Sequence, residues 1–120
     1  MVSSAKKKLS VEFPILVYQD GDDWVAQSIW TCTTAVNKTD LAALEEVCRM
    51  LFAELEAALE DAKGELDEAL RSITCPAPEH ILRLYYSKSG AIDPPSSVLQ
   101  RSRAPTAPEV RFTPREVALA

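Results

Sequence analysis

Residues 11–30 read VEFPILVYQDGDDWVAQSIW, and this stretch decides the fold. Its first eight residues are rich in Val, Ile, Phe and Tyr, side chains that fit a pleated, half-buried surface. Its last seven, WVAQSIW, have the same character. Between them Asp20, Gly21, Asp22 and Asp23 supply a glycine for the positive φ that a tight hairpin turn requires. The pattern predicts two antiparallel strands. Pro14 has no N–H to give to a ladder, which places the first strand at a sheet edge or puts a bulge in it. Trp24 and Trp30 stand at even spacing, on one face of the second strand, and read as core residues or as an exposed contact patch.

Working outward, residues 31–36 are Thr-rich and predict a short third strand. Thr39 or Asp40 then caps a helix, because either side chain accepts an orphan N–H of the first turn. That helix should run to about Lys63. Its apolar residues Leu41, Leu44, Cys48, Leu51, Leu55, Ala58 and Ala62 recur at alternating spacings of three and four, the stripe of a helix with one buried face. Gly64 breaks the phase, and Leu66, Ala69, Leu70 and Ile73 suggest a second, short helix. Residues 80–86 alternate well enough to read as a fourth strand. Residues 1–10 read as a flexible basic arm, residues 11–87 as the folded domain and residues 88–120 as an extended, Pro-rich tail. In that tail Val110 and Phe112 alternate with polar residues, and Thr113 to Glu116 has capping-box form, so a short helix over 114–120 would have to dock on something. The tail could add a strand to an open sheet edge or lay its capped turn in a groove, on its own domain or on a second copy, and its basic excess favours the acidic helix of a second copy, and hence a dimer.

The 120 residues suit one ordinary domain, and 47% hydrophobic with 26% charged residues argues for a folded chain. A net charge of −5 argues against direct nucleic-acid binding, which needs clustered Lys and Arg. Between positions 40 and 70 ten carboxylates face only Arg49 and Lys63. Glu45, Glu56 and Glu60 on this helix are candidate contacts for a basic partner, against the plainer reading of a solvated surface. Three cysteines at wide spacings, Cys32, Cys48 and Cys75, read as free thiols in a reducing compartment. No segment has the roughly 18 apolar residues of a membrane span, and residues 1–20 lack a signal-peptide core. The expected compartment is the cytoplasm.

Little here can carry catalysis. His80 is the only histidine and has no local nucleophile signature, and three scattered cysteines with one histidine make no zinc site. Asp20, Asp22 and Asp23 resemble the opening of a calcium loop, but Thr31 stands where the bidentate carboxylate belongs. The same carboxylates alone do not make a two-metal nuclease clamp. No catalytic residue, metal ligand or cofactor is expected.

Residues 13–17 before the Asp20–Asp23 turn, followed by Trp24, Val25 and Ala26, resemble the opening hairpin of HicB-like antitoxins, where an aromatic-Val-Ala triplet follows an acidic Gly turn. Thr39 with Ala43, Leu44 and Val47 is similar to that family's threonine-capped helix entry. The likeness covers residues 11–62. It implies an α+β fold, a three- or four-stranded antiparallel sheet with one long helix on a face, and a non-enzymatic antitoxin that covers a small basic RNA-cleaving toxin. Residues 88–120 show no helix-turn-helix or ribbon-helix-helix pattern, so a repressor function is not implied. The alternative is a structural or assembly protein that uses this fold and its tail to grip neighbours. In both readings the partner is another protein, and Trp24, Trp30, Glu45, Glu56, Glu60, Val110 and Phe112 are the candidate contacts.

Overall fold

The computed structural model describes residues 10–87, 90–91 and 109–117. The expected hairpin forms from β1 (Ser10–Asp20) and β2 (Asp23–Ser28), in register from Ile15 opposite Ser28 to Asp20 opposite Asp23. Gly21 closes the turn at φ 65°, a value costly for a residue with a Cβ. β3 (Thr34–Asn37) adds to the other side of β2. The chain then enters α1 (Asp40–Asp61), where Thr39 Oγ1 accepts the Ala42 N–H at 3.1 Å. Thr39 is therefore the cap, and Asp40 is the first helical residue. α1 stops where Gly64 takes φ 87° and its N–H reaches back to the Leu59 carbonyl at 2.8 Å. α2 (Leu66–Ile73) follows as expected.

The later chain departs from expectation. Residues 80–86 are not a strand: α3 (Glu79–Tyr86) is a helix, with Pro78 ahead of its first turn. Six apolar-rich residues satisfy both periods, and Ile81 with Tyr85 is the i, i+4 pair that the helix buries. The exposed Glu79–Arg83 ion pair, also at i, i+4, supports it. Beyond α3, β4 (Gly90–Ala91) and β5 (Glu109–Glu116) complete a sheet of order β3-β2-β1-β5-β4. The sheet is mixed rather than antiparallel, because β5 runs parallel to β1 from Ser10 opposite Glu109 to Val17 opposite Glu116. Residues 114–116, expected to open a helix, belong to this strand. Residues 118–120 of that helix, the arm over 1–9 and tail residues 88–89 and 92–108 lie outside the described residues.

β1 is the central strand. Val11, Phe13, Ile15 and Val17 point to the face covered by α1, where they meet Leu44, Val47, Leu51, Leu55, Val110 and Phe112. Phe112 packs edge-on against Phe52, with ring centroids 5.3 Å apart. Leu16 points to the opposite face, where Ile29, Ile81, Tyr85 and Val117 form a second core beneath α3. Helices thus cover both faces, where one long helix on one face was expected. Continuous burial from Phe13 to Val17 is the signature of a strand covered on both sides.

Pro14 sits where one ladder of this strand ends: residues 15–17 are paired on both sides, so β1 as a whole is not the edge strand expected, and only the β2 side of residues 10–13 lacks a described strand. The Pro14 carbonyl accepts the Ile29 N–H at 3.0 Å, but Pro14 has no N–H to return to the Ile29 carbonyl. That carbonyl takes the Ala77 N–H instead, at 2.9 Å, while the Cys75 N–H reaches the Trp30 carbonyl at 2.8 Å. The strap leading from α2 to α3 is thereby tied to the end of β2. Cys32 and Cys75 are joined there by a disulfide, with Cα atoms 5.4 Å apart. This corrects the expectation of three free thiols, since spacing along the chain carried no sign of the strap that brings two of them together. Cys48 alone remains free, buried under α1.

Candidate protein-binding surfaces

α1 positions the acidic residues. Its apolar stripe is buried against the sheet, which turns Glu46, Glu56, Glu60 and Asp61 outward, and Glu65 just ahead of α2 with Asp67 and Glu68 in its first turn adds three more exposed carboxylates. Glu56 and Glu60 lie one turn apart on one face. Glu45 is half-buried on the same stripe and accepts from Arg49 at 3.2 Å. Glu46 accepts from the Asn37 side chain at 3.1 Å, and Glu54 from the Thr33 hydroxyl at 2.6 Å, so part of the acidic surface fixes α1 to β3 and to the loop before it. Exposed like charges one turn apart repel. An array of them is a cost to the isolated chain.

The tryptophans do not share a strand face. Trp24 is half-buried against the first core, whereas β2 ends at Ser28 and Trp30 lies beyond it, 41% exposed. The chain folds back there through a bond from the Ser28 N–H to the Thr33 carbonyl, 2.9 Å, and through the paired Thr31 and Thr33 hydroxyls, 2.9 Å. Val110 and Phe112 are no contact residues for a partner. Both are buried in the core of their own chain, because β5 finds its open edge on β1 rather than on a second copy. Of the seven expected contacts, Glu45, Glu56 and Glu60 fall on one surface and Trp30 on another.

Two features had no signal in the sequence. Beside the start of β1, Trp30, Thr31, Leu70, Ile73 and Thr74 line a cleft of about 260 Å³ whose other wall is residues 10–13. At the far end of the sheet the Glu116 carboxyl lies within hydrogen-bonding reach of the Asp40 carboxyl. Burial first, then hydrogen bonding to Asp40 and the charge of Asp40, raise Glu116 above the usual carboxylate range. Burial, and then the charge of Glu45, push the Cys48 thiol up to about 12. It is therefore no nucleophile at neutral pH.

Among the described residues no group of three His, Cys, Asp or Glu side chains could hold a metal ion. In the acidic turn Asp23 is engaged by Lys38 at 2.8 Å. His80 stands exposed in the first turn of α3. No described helix is long and apolar enough to cross a membrane. No family model, curated protein or solved structure matches the chain.

Proposed function

We propose that the protein is a non-enzymatic binding module of the HicB-like antitoxin kind, which uses the outer face of α1 and α2 to hold a small, basic, RNA-cleaving toxin. The observation that carries this reading is the solvent-facing array of Glu46, Glu56, Glu60, Asp61, Glu65, Asp67 and Glu68 along α1, the link after it and the first turn of α2, a stretch in which residues 40–70 hold ten carboxylates and two cations. A protein that grips RNA is basic where it does so, and an acidic face laid over that surface gains attraction while excluding the substrate. The order of hairpin, third strand and Thr39-capped long helix adds support, being the order that the resemblance implies. The assembly alternative relied on the tail as an arm for neighbours, and residues 109–117 are built into the chain's own sheet.

The test is co-expression with the product of a short basic reading frame adjacent to this gene. A stable complex that suppresses RNA cleavage is expected, weakening as salt rises and lost in Glu56→Lys/Glu60→Lys. No complex, or one indifferent to both salt and charge reversal, would sink the reading.

A further inference from the structure

The strand edge that Pro14 leaves open is a surface separate from the acidic outer face of α1 and α2. Backbone N–H and C=O groups of alternate residues in a strand point to the same side. The Pro14 carbonyl points toward β2, where it accepts from Ile29, so the backbone groups of Ser10 and Glu12 point the same way. β2 has turned off by then. Among the described residues, 10–13 therefore have β5 on one side and no strand on the other. The cleft of about 260 Å³ occupies that gap, with Val11, Phe13, Trp30, Leu70 and Ile73 as its apolar residues and Glu12 as the one charged residue lining it. A bare strand edge is a template for another strand.

We propose that this cleft takes an extended, Lys- or Arg-containing peptide segment of a partner protein as an added strand. Its backbone would pair with Ser10 and Glu12, an apolar side chain would enter between Trp30 and the α2 residues Leu70 and Ile73, and a cation would meet Glu12 and the exposed Trp30 ring. The cleft is smaller than the ~300–1,000 Å³ of ordinary small-ligand sites and has backbone for one wall, which suits a strand with one seated side chain. The basic character follows from charge. Between positions 10 and 87 the chain carries fifteen carboxylates against five basic side chains, so an acidic strand, or this chain's own acidic body, is repelled at Glu12. The inference does not depend on the antitoxin reading, since any partner with an exposed basic strand fits.

The probe is the capped hexapeptide KVRVKV, compared with EVEVEV and titrated into the isotope-labelled full-length protein. KVRVKV should shift the Glu12 amide and the Trp30 indole N–H saturably and slow hydrogen exchange at Glu12. EVEVEV should bind about tenfold more weakly or worse, and N-methylation of the peptide nitrogens that face the edge should abolish binding. Glu12→Lys and Trp30→Ala alter exposed side chains outside both cores, and should each weaken binding about tenfold with the melting curve unchanged. Equal binding of both peptides, indifference to N-methylation, or shifts confined to the outer face of α1 and α2 would each overturn the proposal. So would protection of the Ser10 and Glu12 amides that grows with protein concentration alone, which would assign the edge to a second copy.

Discussion

Single side chains set the two ends of the stability scale. Leu51 is wholly buried between α1 and the sheet, so Leu51→Ala removes apolar contacts and leaves a cavity. A loss of about 2–5 kcal/mol is expected from the shift in denaturant midpoint, and less than about 1 kcal/mol would mean that the core closes over the gap. Glu116 acts in the other direction. Its pKa is raised on folding, so the folded state binds its proton more tightly than the unfolded chain does. The associated stability is fully present below the ordinary glutamate pKa and is lost as pH rises through the folded value. Glu116→Gln should remove that decline, leaving the variant at least as stable as the parent at neutral pH. Thermal melts across pH 4–8 that run parallel for both proteins would show that the Asp40–Glu116 contact does not matter to folding.

At the scale of elements, the disulfide holds the strap between α2 and α3 to the end of β2. Its cysteines are 43 residues apart, so opening it returns a long loop to the unfolded chain, about 4 kcal/mol in the loop-entropy account. Cys32→Ser should lower the melting temperature while leaving α1 formed, and reduction of the parent should reproduce the loss. An unchanged melt after verified reduction would mean that the two backbone bonds of the strap suffice. Nothing in the spacing of Cys32 and Cys75 announced this pairing, since it is made by tertiary structure alone. The hairpin, β3, α1 with its Thr39 cap and α2 were legible because each rests on a local rule: a glycine turn, a capping oxygen, a stripe at helical spacing. α3 was not, because residues 81–86 fit two periods and only the second core decides between them. The central place of β1 was written in the unbroken apolar run from Phe13 to Val17, which marks burial on both faces, but Pro14 pulled the reading toward an edge. Of the candidate surfaces, the acidic helix face follows from the stripe opposite it. The cleft does not, because it is bounded by residues from β1, α2 and the loop after β2.

For the molecule as a whole, the question is whether the last strand is an appendage or part of the fold. Judged by prolines and low periodicity, residues 96–120 are dispensable to the fold, and their removal costs only self-association. β5 overturns this for residues 109–117. It supplies Val110 and Phe112 to the core under α1, the next residue, Val117, joins the core under α3, and the strand is the one described strand partner of residues 10–13. Tyr85 also donates its hydroxyl to the Thr113 carbonyl at 2.7 Å, and Arg115 lies over the Tyr85 ring at 4.9 Å, so α3 is seated partly on β5. Burying Val and Phe side chains is worth about 1.5–3 kcal/mol each, and three of them together rival the ~5–15 kcal/mol by which whole domains are stable. Deleting residues 109–120 should therefore abolish cooperative unfolding and near-ultraviolet circular dichroism, while α1 keeps some far-ultraviolet signal. The double substitution Val110→Ser/Phe112→Ser, which keeps the full chain length, should do nearly the same. A truncated protein that still melts cooperatively near the parent's temperature would show that β1, β2 and β3 with α1 make a self-sufficient body, and that β5 only covers its edge.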